Sequence, residues 1–282
     1  VTGAIENLQD HLLLEEADVY KKPTVLKDDE SLAEQLDKMN KYAKMSVTYQ
    51  FGDSTETLNG DQIHAWLIAN ADGSVSVDSS KVSEYVSEMA KAHNTSNKAK
   101  TLKTSYGSTI QVSGGTYGWK INQAAETEAL AAIIASGEST TREPEYSQKG
   151  ASRTGNDYGN TYVEINLTAQ HLYFYVKGKL VVQSDFVSGN AAKGWSTPAG
   201  AYSITYKQRN ATLKGQGYAT PVSYWMPFNG NVGMHDATWR RAFGGTIYLT
   251  SGSHGCINLP LHMAASIYEY VSTGFPVVCY YY

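Results

Sequence analysis

Apolar residues recur at two periods along this chain, and the change of period divides it. Between residues 29 and 44, Leu32, Leu36 and Met39 share one helical face with charges opposite, which predicts a helix. Residues 45–51 then alternate apolar and polar, the pattern of a half-buried strand. Asn59-Gly60-Asp61 has helix-start character ahead of Ile63, Trp66 and Leu67. Val82, Tyr85, Val86 and Met89 form the inner stripe of another helix that begins at Ser79 or Ser80. Residues 108–112 and 117–121 flank Gly114-Gly115, which predicts a hairpin. A helix from Glu126 to Ser136, ended by Gly137, closes a small α+β unit.

Residues 142–160 interrupt this order with Pro, Gly, Asn and polar residues and no apolar period. They read as a linker or an exposed lead-in strand. The chain therefore divides into a lead-in segment 1–28, an α+β domain 29–152 and a second domain 153–282. In the second domain strand-like stretches alternate with Gly, Asn and Pro turns. One main helix is predicted over 260–270, where Leu261, Ala264, Ala265, Ile267 and Tyr268 make a stripe and Pro260 suits the first turn. That is the pattern of a β-rich, sandwich-like or barrel-like domain with one main helix.

Composition narrows the function classes. The 282 residues suffice for two ordinary domains. A net charge of −4 offers no basic excess for a nucleic-acid partner. No apolar run reaches the roughly eighteen residues of a transmembrane helix. The chain starts at Val1 without a signal peptide and reads as a piece of a longer protein. Of the two cysteines, Cys279 sits in an apolar terminal strand and reads as a core residue, so no Cys256–Cys279 bridge is expected.

Cys256 lies in Ser253-His254-Gly255-Cys256-Ile257-Asn258, with His235 upstream in Gly233-Met234-His235-Asp236. A free thiol has a pKa of about 8.5, and a nearby imidazole is the simplest means of making it a working nucleophile. His235, His254 and Cys256 would also serve as zinc ligands, although no fourth ligand is evident. His11, His64, His93, His171 and His262 have no partner pattern and read as ordinary residues.

These residues resemble the signature of the L,D-transpeptidase (YkuD-type) catalytic domain: a histidine, a variable gap, then Ser/Thr-His-Gly-Cys. Here 17 residues, 236 to 252, fill the gap. Residues 162–167, 170–175, 178–182 and 187–189 follow the family order, and Thr197-Pro198-Ala199-Gly200-Ala201-Tyr202 is similar to its Thr-Pro-x-Gly-x-Tyr segment. The nearest resemblance is to the enterococcal type, in which a peptidoglycan-binding domain precedes the catalytic one.

The resemblance implies a cysteine acyltransferase of the cell wall that needs no metal or organic cofactor. Cys256 would attack the bond between residue three and D-Ala of a tetrapeptide stem, with His235 as general base and His254 assisting. The amides of Gly255 and Cys256, together with Ser253, would form the oxyanion region. The carbonyl of Asp236, rather than its carboxylate, would orient His235. Asn258, Trp239, Tyr218 and Tyr224 would contact substrate, with residues 215–217 in a flap; Arg240 could also belong to the cleft. The product would be a 3-3 cross-link between peptidoglycan stem peptides, and carbapenems would acylate Cys256. An extracytoplasmic place at the cell wall is implied, with a membrane anchor upstream. The rivals are an L,D-carboxypeptidase of the same chemistry, a non-catalytic wall-binding protein, and the metal site.

Overall fold

Capping residues fix most boundaries in the first half of the chain. The computed structural model describes residues 30–70, 72–215 and 217–282, with the backbone alone at Ser31 and Tyr218. The lead-in segment 1–28, His11 and Gln216 lie outside the described residues. Helix α1 (Glu30–Ala43) leads to the antiparallel pair β1 (Val47–Phe51) and β2 (Ser54–Leu58). Asn59 caps α2 (Gly60–His64): its side chain accepts from the Gln62 amide, and the Gln62 side chain accepts from the Asn59 amide. The hairpin β3 (Leu67–Ala69) and β4 (Val75–Val77) precedes α3 (Ser79–His93), which Asp78 caps. Strands β5 (Lys100–Lys103) and β6 (Thr109–Val112) pair with each other, and β7 (Lys120–Ile121) follows. Asn122 caps α4 (Gln123–Ser136), which Gly137 closes at φ +67°. Strand β8 (Thr140–Arg142) runs parallel to β1, and β9 (Tyr146–Gln148) antiparallel to β7. Val47, Tyr49, Leu58, Val82, Leu130 and Ile134 anchor the core of this half.

The second half is built on two sheets. Strands β10 (Tyr162–Asn166), β11 (His171–Val176), β12 (Lys179–Asp185) and β13 (Gly200–Ser203) come first. The hairpin β14 (Gln208–Gly215) and β15 (Tyr218–Asn229) then leads to β16 (Val232–Asp236). The short helix α5 (Ile247–Ser251), β17 (Ile257–Leu259), α6 (Leu261–Tyr270) and β18 (Pro276–Tyr280) complete the chain. One sheet has the order β12-β11-β10-β18-β13 and the other β14-β15-β16-β17. Val163, Ile165 and Phe174 of the first share a core with Met234 and Ile257 of the second and Ile267 of α6. Cys279 is a fully buried free thiol in β18. The expected main helix is α6, and α5 is a further single turn.

Two expectations are corrected. The hairpin across Gly114-Gly115 does not form, since β6 pairs with β5 and β7 with β9. The two glycines instead let the chain run hard against β13: the Ala201 amide donates to the Gly114 carbonyl (3.1 Å), and the Tyr117 amide donates to the Ala201 carbonyl (3.0 Å). A Cβ on Gly115 would lie 2.0 Å from that carbonyl oxygen. Next, Leu32 and Leu36 of α1 are exposed, so the apolar face read there is not a buried one. Residues 142–160, read as a linker or an exposed lead-in strand, hold strand β9 and the buried Tyr158, and Arg153 stacks over Phe51 and Trp119.

The halves meet through the β5–β6 hairpin. Leu102, Val112 and Tyr117 join Ala201, Val278 and Tyr280 in one apolar cluster. Buried Glu164 accepts from the Ser105 amide (2.9 Å), the Ser105 hydroxyl (2.8 Å) and the Tyr280 hydroxyl (2.8 Å). Gly115 and Gly107 test the close approach, because both have positive φ but only Gly115 is crowded. Gly107→Ala is expected to cost about 1–2 kcal/mol, the left-handed penalty alone. Gly115→Ala adds a backbone clash and is expected to cost at least about 2 kcal/mol more in chemical denaturation.

Candidate active site

Two parallel strands bring the chemistry together. In the β16–β17 register Met234 pairs with Ile257, His235 with Asn258 and Asp236 with Leu259. Met234 and Ile257 enter the core, and Cys256 stands one residue before β17, beside its end. The loop that carries the thiol is closed by its own serine: Ser253 Oγ donates to the Cys256 carbonyl (2.6 Å) and accepts from the Gly255 amide (3.0 Å). Gly255 sits at φ +124°, a conformation that glycine adopts readily. Buried Thr197 donates to the Gly255 carbonyl (2.6 Å) and accepts from the Gly189 amide (3.1 Å). The Thr-Pro-x-Gly segment thus braces the cysteine loop through Thr197.

The His235 ring is buried between indoles, with centroids 5.9 Å from Trp225 and 5.9 Å from Trp239. Its Nδ1 lies 2.8 Å from the Asp236 carbonyl oxygen. A carbonyl only accepts, so Nδ1 carries the proton and Nε2 keeps its lone pair. The Asp236 carboxylate is engaged elsewhere, accepting from the Ser223 and Tyr224 amides at 2.8 Å each. Burial lowers the His235 pKa, against the raising effect of the Asp236 carbonyl. Burial also pushes the Cys256 thiol up to about 11, with the Gly233 amide opposing. The thiol donates to the Asn231 carbonyl at 3.5 Å. Both shifts favour the neutral forms, thiol and neutral imidazole.

A pocket of about 220 Å³ opens over these groups, lined by His235, Trp239, Arg240, Ser253, His254, Cys256 and Asn258. Leu213 and Thr220 of the β14–β15 hairpin contribute to its wall. His254 stacks on Trp195 with centroids 4.2 Å apart. Asn258 is buried, and its Oδ1 has no partner among the described residues. Tyr224 is not at the pocket: its ring packs on Tyr268 (5.2 Å) and under the Arg209 guanidinium (5.0 Å). Strand alternation gives the inner face to Trp225, which packs in a cluster that Cys256 joins. The Tyr218 side chain lies outside the described residues. No group of three His, Cys, Asp or Glu side chains among the described residues is arranged to hold a metal ion.

The profile of the L,D-transpeptidase catalytic domain matches residues 160–279, and that of a peptidoglycan binding domain matches residues 28–142. The crystal structure of a cysteine-to-serine mutant of Enterococcus faecium L,D-transpeptidase is 36% identical. The match covers 88% of this chain and 100% of that one, with a TM-score of 0.73. The chain belongs to the L,D-transpeptidase family. A second solved structure, the Ldtfm–avibactam carbamoyl enzyme, is 37% identical over 88% of this chain and 98% of that one, with a TM-score of 0.74. The comparison with curated proteins found no match. This L,D-transpeptidase is a cysteine-dependent acyltransferase of peptidoglycan, acting at the cell wall. No helix among the described residues is long and apolar enough to cross a membrane.

The neutral resting pair makes a pH prediction. Only thiolate is alkylated, and the thiol titrates at about 11. Without substrate, iodoacetamide labelling of Cys256 should climb about tenfold per pH unit between about pH 7 and 10. A plateau with a midpoint near neutrality would instead reveal a thiolate–imidazolium pair.

Proposed function

We propose that Cys256 is the nucleophile and His235 the general base of the transfer. The observation that carries this is one pocket lined by both side chains, with the His235 tautomer set by the Asp236 carbonyl. His235 Nε2 takes the thiol proton as sulfur attacks the carbonyl of residue three in a tetrapeptide stem. It returns that proton to the amine of the departing D-Ala, leaving a thioester. The residue-three side-chain amine of a second stem, or its bridge residue, then attacks the thioester and gives a 3-3 cross-link.

The Gly255 amide already donates to Ser253, so the oxyanion is taken by the Cys256 amide. Such a donor is worth about 3–4 kcal/mol. Ser253 acts by shaping this loop, and Trp239 and His254 form pocket wall against the stem. Asn258 Oδ1, buried and unpartnered, accepts a peptide N–H of the donor. Tyr218, whose backbone starts β15, is assigned to the stem by the family resemblance alone. The domain over residues 29–152 binds the peptidoglycan that the catalytic domain, 153–282, cross-links. The same reading carries the upstream membrane anchor that the family resemblance implies. Carbapenems, which also present an acyl group to a nucleophile, acylate Cys256.

Intact-protein mass spectrometry with a disaccharide-tetrapeptide tests this reading. The expected result is a tripeptide acyl adduct on the wild type, D-Ala release and a cross-linked dimer, with none of these for Cys256→Ala. Tripeptide as the sole product would assign a carboxypeptidase. Full turnover by Cys256→Ala would remove the thiol from the mechanism.

A further inference from the structure

The pocket holds a cation with no acid to pair with. Arg240 follows Trp239 in the wall, and its Nη1 donates to the Ser251 carbonyl at 2.8 Å. Its Nε is buried and has no hydrogen-bond partner among the described residues. Arg142 is paired with Glu126 and Glu145 and Arg209 with Glu269, while Arg153 lies over the Phe51 and Trp119 rings. No carboxylate forms an ion pair with Arg240 among the described residues, and burial alone lowers its pKa. Arg240 as a whole is half-buried, but an Nε out of water and without a partner carries a desolvation cost that a ligand completing the fork would offset.

The position of the charge says which ligand. Arg240 is among the groups that hold the His235 pKa down, so its charge bears on the imidazole. In the reaction proposed above, His235 protonates the amine of the leaving residue, and that residue's carboxylate hangs from the Cα next to this amine. A cation near His235 therefore stands where a terminal carboxylate arrives when the scissile carbonyl is at Cys256. Guanidinium is suited to receive it, since its planar fork matches carboxylate geometry. The other unpartnered atom of the pocket, Asn258 Oδ1, is an acceptor and complements a peptide N–H of the same ligand.

We propose that Arg240 binds the free carboxylate of the fourth residue of the donor stem and so selects stems that end there. The inference rests on Cys256 acting as the acyl carrier. A stem extended by another residue, or amidated at its end, presents a neutral amide to Arg240 and leaves the half-buried cation without its counter-charge. Selection for a tetrapeptide donor thus comes from an electrostatic contact on the leaving-group side, separate from the groups that perform the transfer.

The test compares a disaccharide-tetrapeptide with its C-terminal amide, following release of D-Ala or D-alaninamide by wild type, Arg240→Gln and Arg240→Lys. Iodoacetamide labelling of Cys256 reports that the site of each variant is intact. The wild type is expected to favour the acid by about 10- to 100-fold in kcat/KM, the range of a hydrogen bond to a charged group. Arg240→Gln is expected to lose far more on the acid than on the amide, bringing the ratio towards one, and Arg240→Lys to keep part of it. Equal loss on both substrates would reduce Arg240 to a structural role and overturn the proposal. So would a wild type that turns over acid and amide alike, a result that decides the matter even where the Gln variant does not fold. A wild type that releases neither product would overturn the thiol-transfer reading, and this inference with it.

Discussion

The active site depends on the parallel pairing of β16 with β17. Strand pairing in one register sets His235 opposite Asn258 and leaves Cys256 at the strand end, in reach of the same pocket. A slip of one residue would reverse every side chain and send His235 into the core. The register is held by burial of Met234 and Ile257 and by the strands around it. Segment 187–190 adds its own bonds to the cysteine loop: Asn258 exchanges backbone hydrogen bonds with Val187, and Ser253 bonds to Ser188 and Asn190. Thr197 ties Gly255 to Gly189 from the buried side. Cys256 is carried by a loop in which the backbone of Ser253 and Gly255 and the Cys256 carbonyl are all hydrogen-bonded, which suits a site that must hold its geometry.

Electrostatics adds a second constraint. Burial raises the thiol pKa and lowers the imidazole pKa, so the same low-polarity surroundings keep both groups neutral. In the proposed reaction the proton therefore moves when substrate supplies charge-stabilising contacts, rather than beforehand. The hydrogen bond from Nδ1 to the Asp236 carbonyl keeps the other nitrogen available as base. The Asp236 carboxylate, held by two amides of β15, instead fastens the histidine strand to its neighbour.

Much of this was legible in the sequence, and the gaps have physical reasons. Ser253-His254-Gly255-Cys256 and His235 could be found because a thiol and an imidazole are rare and chemically distinctive. The strands and helices followed from period and caps, as Asn59, Asn122 and Gly137 show. Gly114-Gly115 misled because two glycines permit a turn and also permit close approach to another chain segment. Only the position of Ala201 decides between these. Tyr224 was placed at the pocket in place of Trp225 because a twelve-residue strand gives no sign from sequence of which face turns inward. Thr197 derives its bracing role from a contact across 58 residues, which local pattern does not carry.

The central claim is a neutral histidine, protonated at Nδ1, beside a protonated thiol. Nitrogen-15 NMR of histidine-labelled protein at pH 7, assigned with a His235 variant, measures it directly. The account predicts a neutral ring with its proton on Nδ1, hydrogen-bonded to a carbonyl, and a bare Nε2. A doubly protonated His235 ring, or a neutral ring with the proton on Nε2, would contradict it.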